Sequence, residues 1–337
     1  MTKPPPVPVS RLNRADLVRD LGWTNAAVQW REIKSVQAPD AERHVYLLEQ
    51  TGTKPLIVKH EPGVEAVRFE AMVDCYTQLA SAFEPGGRCQ MAPMVLARPE
   101  QRLLVLEHVA GPTAHARLAA ADVGLDRRDA VIQACAGWLR QLHDRAGQTG
   151  AHLPGFTGAA LLRRVRRRAR EVRDGGREVV FPKRFLGLCA LLHRVIGDAD
   201  GAPCRQGLRH GDAHARNFIF GGAALCAIDP LPREVGPVAF DLTRFMTRLA
   251  YSFGGDPDAE APGPAGLAGL PKVDWQALEA GYGAAIETDP VVRALLCQQL
   301  FNDWLGMPAA RDARSPSQQR RITQIATMFE AIRDSLA

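Results

Sequence analysis

The chain has 337 residues, of which 42 are Lys or Arg and 37 are Asp or Glu, giving a formal net charge of +5 at pH 7. Hydrophobic residues make up 46% of the chain and charged residues 23%, a balance typical of globular proteins that excludes a disordered or fibrous chain. No apolar run is long enough for a membrane span, and the net charge is too small to indicate nucleic-acid binding by itself.

The N-terminal third is predicted to be rich in strands. Residues 1–10 contain several prolines, lack the apolar segment of a secretory signal and are expected to form a flexible arm. A helical spacing of apolar residues predicts a helix over 64–82. Alternating or short apolar runs predict strands at 28–36, 44–50, 55–60, 91–97 and 102–108.

The remainder of the chain is predicted to be mostly helical. A strand-like interlude covers 209–229, and residues 254–269, rich in Gly, Pro and Asp, are predicted to form a loop. Amphipathic patterns predict helices at 129–144, 161–173, 185–196, 239–251, 275–286, 290–306 and 316–336. We therefore predict an α+β protein with a β-rich N-terminal lobe, residues 1–108, and a larger helical lobe, residues 109–337.

The seven cysteines are scattered singly and include no C-x-x-C pair. An odd number without such pairs argues against a disulfide framework and against a zinc ribbon. We expect small buried side chains in a reducing compartment, and we therefore predict a cytoplasmic protein.

One polar segment indicates chemistry. It reads H-G-D-A-H-A-R-N over 210–217, and two apolar runs follow it on either side of Gly221-Gly222, a pair typical of a hairpin turn. The hairpin would bring Asn217 at its entry close to Asp229 at its exit, with Asp212 on the preceding loop. Such oxygen donors suit Mg²⁺, and the arrangement suits phosphoryl transfer. A polar loop before an ordinary hairpin is the alternative interpretation.

This segment resembles the catalytic region of the aminoglycoside phosphotransferases and their kin, which share the two-lobed protein-kinase-like fold. The stretch I-D-P over 228–230, together with Gly236, Pro237, Phe240 and Asp241, is nearest in pattern to the streptomycin and hydroxyurea kinase branch. The resemblance implies a nucleotide-dependent kinase whose N-terminal lobe binds the nucleotide and whose helical lobe carries the catalytic loop and the acceptor site. It covers most of 28–250.

The resemblance also assigns nucleotide-binding residues. Lys59, at the end of an apolar run, would contact the α- and β-phosphates, and Glu70 on the following helix would pair with Lys59. The carbonyl of Glu107 and the N–H of Val109 would bind the adenine edge at the hinge. Each feature alone also fits an ordinary strand end, helix surface or edge strand.

The catalytic roles follow the same pattern. Asp212 would orient the acceptor hydroxyl and take its proton, while Asn217 and Asp229 would hold Mg²⁺. His210 and His214 are expected to brace the loop, and Asp241 is expected to cap a helix and support the loop. The loop 36–43 lacks the usual glycines of a phosphate-covering loop, so its contacts and the choice of ATP or GTP stay open.

Two charged segments are ambiguous. The arginine-rich stretch 163–177 has no interleaved aromatic residues and is best interpreted as a solvated helix face with internal ion pairs. Residues 251–290 carry a net charge of −6, including Asp256 and Asp258. Lining an acceptor site, they would attract a cationic substrate; solvated loop charge is the equal alternative.

The sequence thus predicts a small-molecule kinase that transfers the γ-phosphate of ATP or GTP, with Mg²⁺, to a hydroxyl of an antibiotic, either aminoglycoside-like or nucleoside-type. Such a reaction would give resistance by O-phosphorylation. The alternatives are a housekeeping kinase of a sugar, amino alcohol or choline-like metabolite, and a catalytically dead kinase-like binding module. A membrane or nucleic-acid partner is not expected, and either a monomer or a dimer fits.

Overall fold

The computed structural model describes residues 12–24, 28–37, 42–146, 153–231, 235–254 and 263–336. The predicted arm 1–10, positions 38–41 of the loop 36–43 and half of the predicted loop 254–269, with Asp256 and Asp258, lie outside the described residues. The chain divides into two compact units, Met1–Gly111 with Gly221–Pro232, and Pro112–Phe220 with Arg233–Ala337.

The first unit is built on a five-stranded antiparallel sheet. Its strands are β1 (Gln29–Val36), β2 (Arg43–Glu49), β3 (Leu56–His60), β5 (Met94–Arg98) and β6 (Leu103–Glu107), and they lie side by side in the order β1-β2-β3-β6-β5. The unit also contains helix α1 (Arg14–Asp20), helix α2 (Ala66–Ser81) and a short strand β4 (Cys89–Met91), which pairs in parallel with β9 (Ala224–Ala227).

Strand β3 lies at the centre of this sheet between β2 and β6. Its side chains alternate between faces because a strand repeats every two residues. Leu56 and Val58 pack on one face in a buried cluster with Leu48 and Val105. Lys59 therefore projects from the opposite face, which accounts for a charged side chain on a central strand.

The second unit is helical. Two short strands, β7 (Gln206–Gly207) and β10 (Gly236–Pro237), pair antiparallel within it, and β8 (Phe218–Gly221) follows the polar segment. Its helices are α3 (Ala114–Asp122), α4 (Arg128–Ala146), α5 (Ala159–Arg173), α6 (Pro182–Ala199), α7 (Ala239–Phe253), α8 (Lys272–Tyr282), α9 (Pro290–Leu305) and α10 (Pro316–Asp334).

Local sequence explains where several helices begin. Asp289 accepts the Val291 N–H at the start of α9. Ser315 and Gln318 form a reciprocal capping box at the start of α10, which satisfies backbone donors that would otherwise lack partners. Helix α9 is then buried along much of its length, ending with the fully buried Trp304. Helices α9 and α10 thus contribute buried side chains to the core of the second unit.

The predicted α+β class is confirmed, since a small antiparallel sheet is combined with a larger set of helices. The helix 114–122 was missed from sequence, whereas the other helices of the second unit lie close to their predicted positions. On α5, Arg167 and Arg168 form ion pairs with Glu171. Among the described residues, no helix combines the length and hydropathy that a membrane crossing requires.

Candidate active site

The polar segment 210–217 lies in the helical unit between β7 and β8, and Asp241 holds its first two residues. The His210 N–H donates to Asp241 Oδ2 at 2.6 Å, and the Gly211 N–H donates to Oδ1 at 2.9 Å. Gly211 has a φ of +79°, a left-handed conformation that glycine adopts without steric cost. One carboxylate thus fixes the start of the loop.

Asp241 is fully buried and lies in the first turn of α7. Burial acts to raise the pKa of Asp241, but the His143 hydrogen bond, at 3.3 Å, and the charges of His143 and His210 hold it below its ordinary value. The tyrosine hydroxyl of Tyr282 in turn lies 2.9 Å from His143 Nδ1. The expectation of a helix cap is wrong: the cap residue of α7 is Val238, and it provides no side-chain cap.

The ring of His210 is fully buried and packs edge-on against Trp138, with centroids 5.9 Å apart. Its Nδ1 accepts the Asp212 N–H at 3.3 Å. A ring that is enclosed by aromatic side chains and bonded to its own loop has little access to a reacting group. The geometry therefore supports the predicted bracing role.

Asp212 is partly buried and faces two cationic or potentially cationic side chains. Arg244 of α7 donates to Asp212 Oδ1 from Nε at 3.0 Å and from Nη2 at 2.8 Å. His214 Nε2 lies 3.4 Å from Oδ2. Burial would raise the pKa of Asp212, but His214 and Arg244 together hold it well below its ordinary value. Asp212 is therefore a carboxylate at neutral pH.

The tautomer of His214 follows from its other bond. Its Nδ1 accepts the Arg216 N–H at 3.2 Å and caps the short 3₁₀ turn Ala215–Asn217. An accepting Nδ1 places the proton of a neutral imidazole on Nε2, the atom that faces Asp212. The Nε2–H of His214 is therefore a donor toward the Asp212 carboxylate, and His214 does not compete with Asp212 as a proton acceptor.

Asn217 ends the 3₁₀ turn and is buried. Its Nδ2 donates to the backbone carbonyl of Asp212 at 3.0 Å. With the amide nitrogen used in this way, the amide oxygen is the atom that is left for another partner. An oxygen donor of this kind is a ligand that Mg²⁺ accepts, so the residue fits the predicted metal role.

In the sheet unit, the ammonium of Lys59 forms an ion pair with Asp229 Oδ1. Burial lowers the pKa of Lys59 to about 8, with a smaller opposing effect from Glu61. The contact with Asp229 likewise favours the charged ammonium. The pair places one buried cation and one half-exposed carboxylate side by side.

Asp229 lies two residues after the end of β9 and has a φ of +56°. The left-handed region is unusual for a residue with a Cβ, although Asp tolerates it better than most. Its side chain is 45% exposed, which leaves carboxylate oxygen accessible beyond the contact with Lys59. An accessible carboxylate is consistent with the predicted metal ligand.

Glu70 is not brought to Lys59. It is exposed on α2, and the carboxylate in contact with Lys59 is that of Asp229. Helix α2 buries Phe69, Tyr76 and Leu79, so Glu70, next to Phe69, lies on a different face of the helix from the buried stripe.

The predicted hinge follows β6. The Glu107 N–H donates to the Pro93 carbonyl at 2.8 Å, and the Glu107 side chain pairs with Lys54 at 3.0 Å. Val109 lies beyond the strand, and its N–H has no hydrogen-bond partner within the described part of the chain. An available backbone donor at this position is what a hinge contact to a nucleobase requires.

Two charged residues near the predicted site were missed from sequence. Glu61, two residues after Lys59, is buried and forms an ion pair with Arg43 at 2.8 Å. Arg244 lies three residues after Asp241, one helical turn along α7. Its spacing from Asp241 is the signal that could have indicated a second contact with the loop.

A cavity of about 480 Å³ opens beside Asp212 within the helical unit. Five of the residues that line it are arginines: Arg216, Arg244, Arg248, Arg320 and Arg321. We define this as the arginine cavity. Its described lining is positively charged, whereas the acceptor site expected from residues 251–290 would be negatively charged.

The described acidic residues of 251–290 are engaged in local structure instead. Asp274 is buried and accepts from Arg128 at 2.8 and 2.9 Å. Glu279 accepts two backbone N–H groups, and Glu287 pairs with Lys272 at 2.5 Å. These side chains make contacts within the fold, and a role of residues 251–290 in lining an acceptor site stays a prediction.

Asp212, Asn217, His210, His214 and Asp241 come together in the helical unit, and Lys59 and Asp229 come together in the sheet unit. Within the residues that the structure describes, no three His, Cys, Asp or Glu side chains form a metal-binding group.

Sequence comparison assigns the family. Residues 35–280 match the phosphotransferase enzyme family, APH, and the chain belongs to this family. No curated protein matched the sequence.

Solved structures support the same fold at low sequence identity. An amicoumacin kinase in complex with AMP-PNP, Ca²⁺ and Ami superposes with a TM-score of 0.57 at 13% identity, covering 96% of this chain and 94% of that one. A macrolide 2'-phosphotransferase from Brachybacterium faecium has a TM-score of 0.54 at 12% identity, with coverages of 92% and 96%.

A glucosamine kinase in complex with glucosamine, ADP and inorganic phosphate has a TM-score of 0.54 at 14% identity, covering 97% of this chain and 84% of that one. The protein-kinase-like fold is thereby confirmed, and the protein is a phosphotransferase of that fold.

Proposed function

We propose that the protein transfers the γ-phosphate of ATP or GTP to a hydroxyl of a small molecule, with Asp212 as the catalytic base. The observation that carries this proposal is the state of Asp212. Its pKa is held below the ordinary value by His214 and Arg244, it lies beside a cavity, and Asn217 fixes its backbone carbonyl. A positioned carboxylate orients the hydroxyl and accepts its proton as the new bond forms.

The nucleotide would be bound in the sheet unit. Lys59 supplies a cation for the α- and β-phosphates, and the Glu107 carbonyl and Val109 N–H would receive the base at the hinge. Glu70 would have to change its side-chain position to join Lys59, and Asp229 already pairs with that lysine. This assigns residues 1–108 to nucleotide binding and residues 109–337 to the catalytic loop and acceptor site.

Asn217 and Asp229 are the residues that we propose for Mg²⁺. The ion would neutralise phosphate charge when bound, which is its general contribution to phosphoryl transfer. The amide oxygen of Asn217 and the half-exposed carboxylate of Asp229 are chemically suited to it. When the ion binds, the Asp229 carboxylate would either move partly away from Lys59 or contact both Lys59 and the ion.

Two classes of acceptor are supported by different similar structures. An antibiotic acceptor with resistance by O-phosphorylation is supported by the fold shared with the amicoumacin and macrolide enzymes. A sugar or amino-sugar acceptor is supported equally by the glucosamine kinase. The presence of Lys59, Asp212, Asn217 and Asp229 in one chain argues against a dead binding module. We place the reaction in the cytoplasm, where ATP and GTP are available and free thiols persist.

The test is a phosphotransfer assay with the purified chain, ATP or GTP, Mg²⁺ and a panel of hydroxylated antibiotics, sugars and amino alcohols. Product is detected by mass and by ³¹P NMR. We expect one acceptor class to gain a phosphate ester in wild-type protein and not in Asp212→Asn. Arg311→Ala, a change at an exposed loop residue, is the control. A phosphorylated product formed at the wild-type rate by Asp212→Asn would refute the assignment.

A further inference from the structure

Among the described residues that line it, the arginine cavity carries far more positive than negative charge. Its five arginines come from the 3₁₀ turn Ala215–Asn217, from α7 and from α10, and Asp212 is the one carboxylate among these described lining residues. Because like charges in a partly enclosed space repel, such a cavity is unfavourable unless something neutralises it.

Part of this charge is neutralised within the protein. Arg244 and Arg248 both approach Asp303 Oδ1, at 3.6 and 3.3 Å, and Tyr251 donates its hydroxyl to Oδ2 at 3.1 Å. One carboxylate is therefore shared by two guanidinium groups. Burial lowers the pKa of Arg248, and neighbouring Arg244 and Arg321 act in the same direction against Asp303.

The other three arginines, Arg216, Arg320 and Arg321, have no carboxylate partner among the described residues. Arg216 contacts His115 at 2.9 Å, and the guanidinium of Arg321 lies 5.7 Å from the centre of the Tyr251 ring. Within the described ranges of the chain, neither of these residues nor Arg320 forms an ion pair. Arg320 and Arg321 are adjacent near the start of α10, and Ser317 of the same helix also lines the cavity.

We propose that the acceptor carries an oxyanion, either a carboxylate or a phosphate monoester, in addition to the hydroxyl that is phosphorylated. This rests on the proposed function, since Asp212 marks where the hydroxyl reacts. Arg248, Arg320 and Arg321 would bind the oxyanion through paired N–H donors, the geometry in which guanidinium groups recognise carboxylates and phosphates. A cationic amine in the same cavity would be repelled by the positive charge of the arginines.

The strongest competing role for these arginines is binding of the nucleotide phosphates. The two roles differ in which Michaelis constant responds. Arginines that hold the acceptor affect its KM and leave that of the nucleotide unchanged, whereas arginines that hold the nucleotide do the reverse.

The experiment compares acceptors in matched pairs: glycerate with glycerol, and glucose 6-phosphate with glucose, with glucosamine as the amine. Wild type is compared with Arg320→Ala/Arg321→Ala, with the charge-conserving Arg320→Lys/Arg321→Lys and with the control Arg311→Ala. Both positions are exposed or half-buried, so folding should persist, and circular dichroism checks it. Direct binding of glycerate and of inorganic phosphate is measured by calorimetry.

We expect kcat/KM for the acidic member of a pair to exceed that of its neutral partner by about 10-fold or more, as one charge-assisted contact gives. The alanine double variant should raise the acceptor KM about 10- to 100-fold with nucleotide KM unchanged, and the lysine variant should restore part of the loss. Equal use of neutral or amine acceptors with no effect of the variants overturns the proposal, as does a change confined to the nucleotide KM.

The binding measurement separates this proposal from the proposed function. If no acceptor is phosphorylated but glycerate or phosphate binds wild type and not the alanine variant, phosphotransfer to this panel fails while the oxyanion site stands. If neither anion binds wild type and no acidic acceptor reacts, the oxyanion site is wrong, whatever neutral acceptor is used. Loss of glycerate but not of phosphate binding assigns the site to carboxylates, and the converse assigns it to phosphate esters.

Discussion

Lys59 and Asp212 are both held in surroundings that shift their pKa values, with different consequences. Burial lowers the pKa of Lys59 to about 8, so its positive charge is sensitive to mildly alkaline pH. Asp212 is also partly buried, but His214 and Arg244 keep its pKa low, so its negative charge persists at neutral pH. The ammonium is thus the group whose charge responds first to alkaline conditions.

This difference predicts a pH dependence for nucleotide affinity. Since the charged form of Lys59 is present below about pH 8, Kd for ATP should rise as pH increases through that value. The measurement is a titration of wild type and Lys59→Met between about pH 7 and 9.5, a range in which nucleotide phosphates are already ionised. Lys59→Met should bind weakly at every pH. A wild-type Kd that is flat across this range contradicts the assignment.

A second residue-scale prediction concerns Arg244. Replacing it with Gln removes a charge that lowers the pKa of Asp212. Burial, which raises this pKa, then meets less opposition. The acid limb of the kcat/KM profile should therefore move to higher pH. Arg244→Lys keeps a positive charge and should move the limb less. If the two profiles and that of wild type share one acid limb, Arg244 does not control the ionisation of Asp212.

At the scale of elements, the packing of helix α8 against helix α4 depends on close backbone approach at a glycine. Gly281 of α8 lies against α4, and a Cβ at that position would be 2.7 Å from Gln133 Cα and 2.8 Å from its carbonyl carbon. Gly197 of α6 instead has open space around it. The two glycines are therefore present for different reasons, although both lie inside helices.

Alanine substitutions separate these reasons. Gly281→Ala should lower the free energy of unfolding by about 2 kcal/mol or more, because neither backbone atom of Gln133 can move away independently. Gly197→Ala should leave it unchanged or raise it by up to about 1 kcal/mol, the helix propensity difference. Urea denaturation followed by circular dichroism gives both values. Equal effects of the two substitutions would show that α4 and α8 are not closely packed at this point.

Sequence periodicity predicted most elements because their burial is regular. Strand β3 alternates buried and partly buried residues, and α10 buries Ile322, Ile325, Phe329 and Ile332, which recur every three or four residues on one face. Helix α3 was missed because its alanine-rich stretch has little amphipathic contrast. Its start is nevertheless encoded: Thr113 accepts the Ala116 N–H as an N-cap. The start of α3 is therefore indicated by its N-cap residue and not by hydrophobic periodicity.

The candidate site was predictable to the extent that it is contiguous. The motif over 210–217 located Asp212 and Asn217, but it contains nothing about Arg244, which lies on a distant segment. The arginine cavity combines three such segments, so no window of the sequence shows it. The same holds for the acidic stretch, since Asp274 finds its partner, Arg128, far along the chain.

At the scale of the whole molecule, the burial of the cysteine thiols depends on the folding of the chain. All seven cysteines are free, and five of them are buried. Burial raises the pKa of Cys189 and of Cys297 to about 12. The thiolate is the reactive form, so these side chains should be inert while the protein is folded.

Thiol labelling checks this. With a disulfide-exchange reagent near pH 8, we expect at most the two partly exposed cysteines, Cys75 and Cys89, to react in native protein, and all seven to react in denaturant. Reductant should leave the melting temperature unchanged, since all seven thiols are free. Rapid labelling of three or more thiols in native protein, or a reductant-dependent melting temperature, would contradict the buried arrangement.

The hydrogen bonds between α7 and the segment 210–217 limit how this protein could be recombined with others. Asp241 holds the backbone at the start of the segment, and Arg244, one turn later, holds the side chain of Asp212. Inserting a single residue between them would rotate one contact by about 100° around the helix axis. A chimera that exchanges the segment 210–217 should therefore carry the matching α7 with it, because donor and recipient must agree on both partners and on their three-residue spacing. For laboratory recombination, the segment and this helix form one heritable block, although more than 20 residues separate them in the chain.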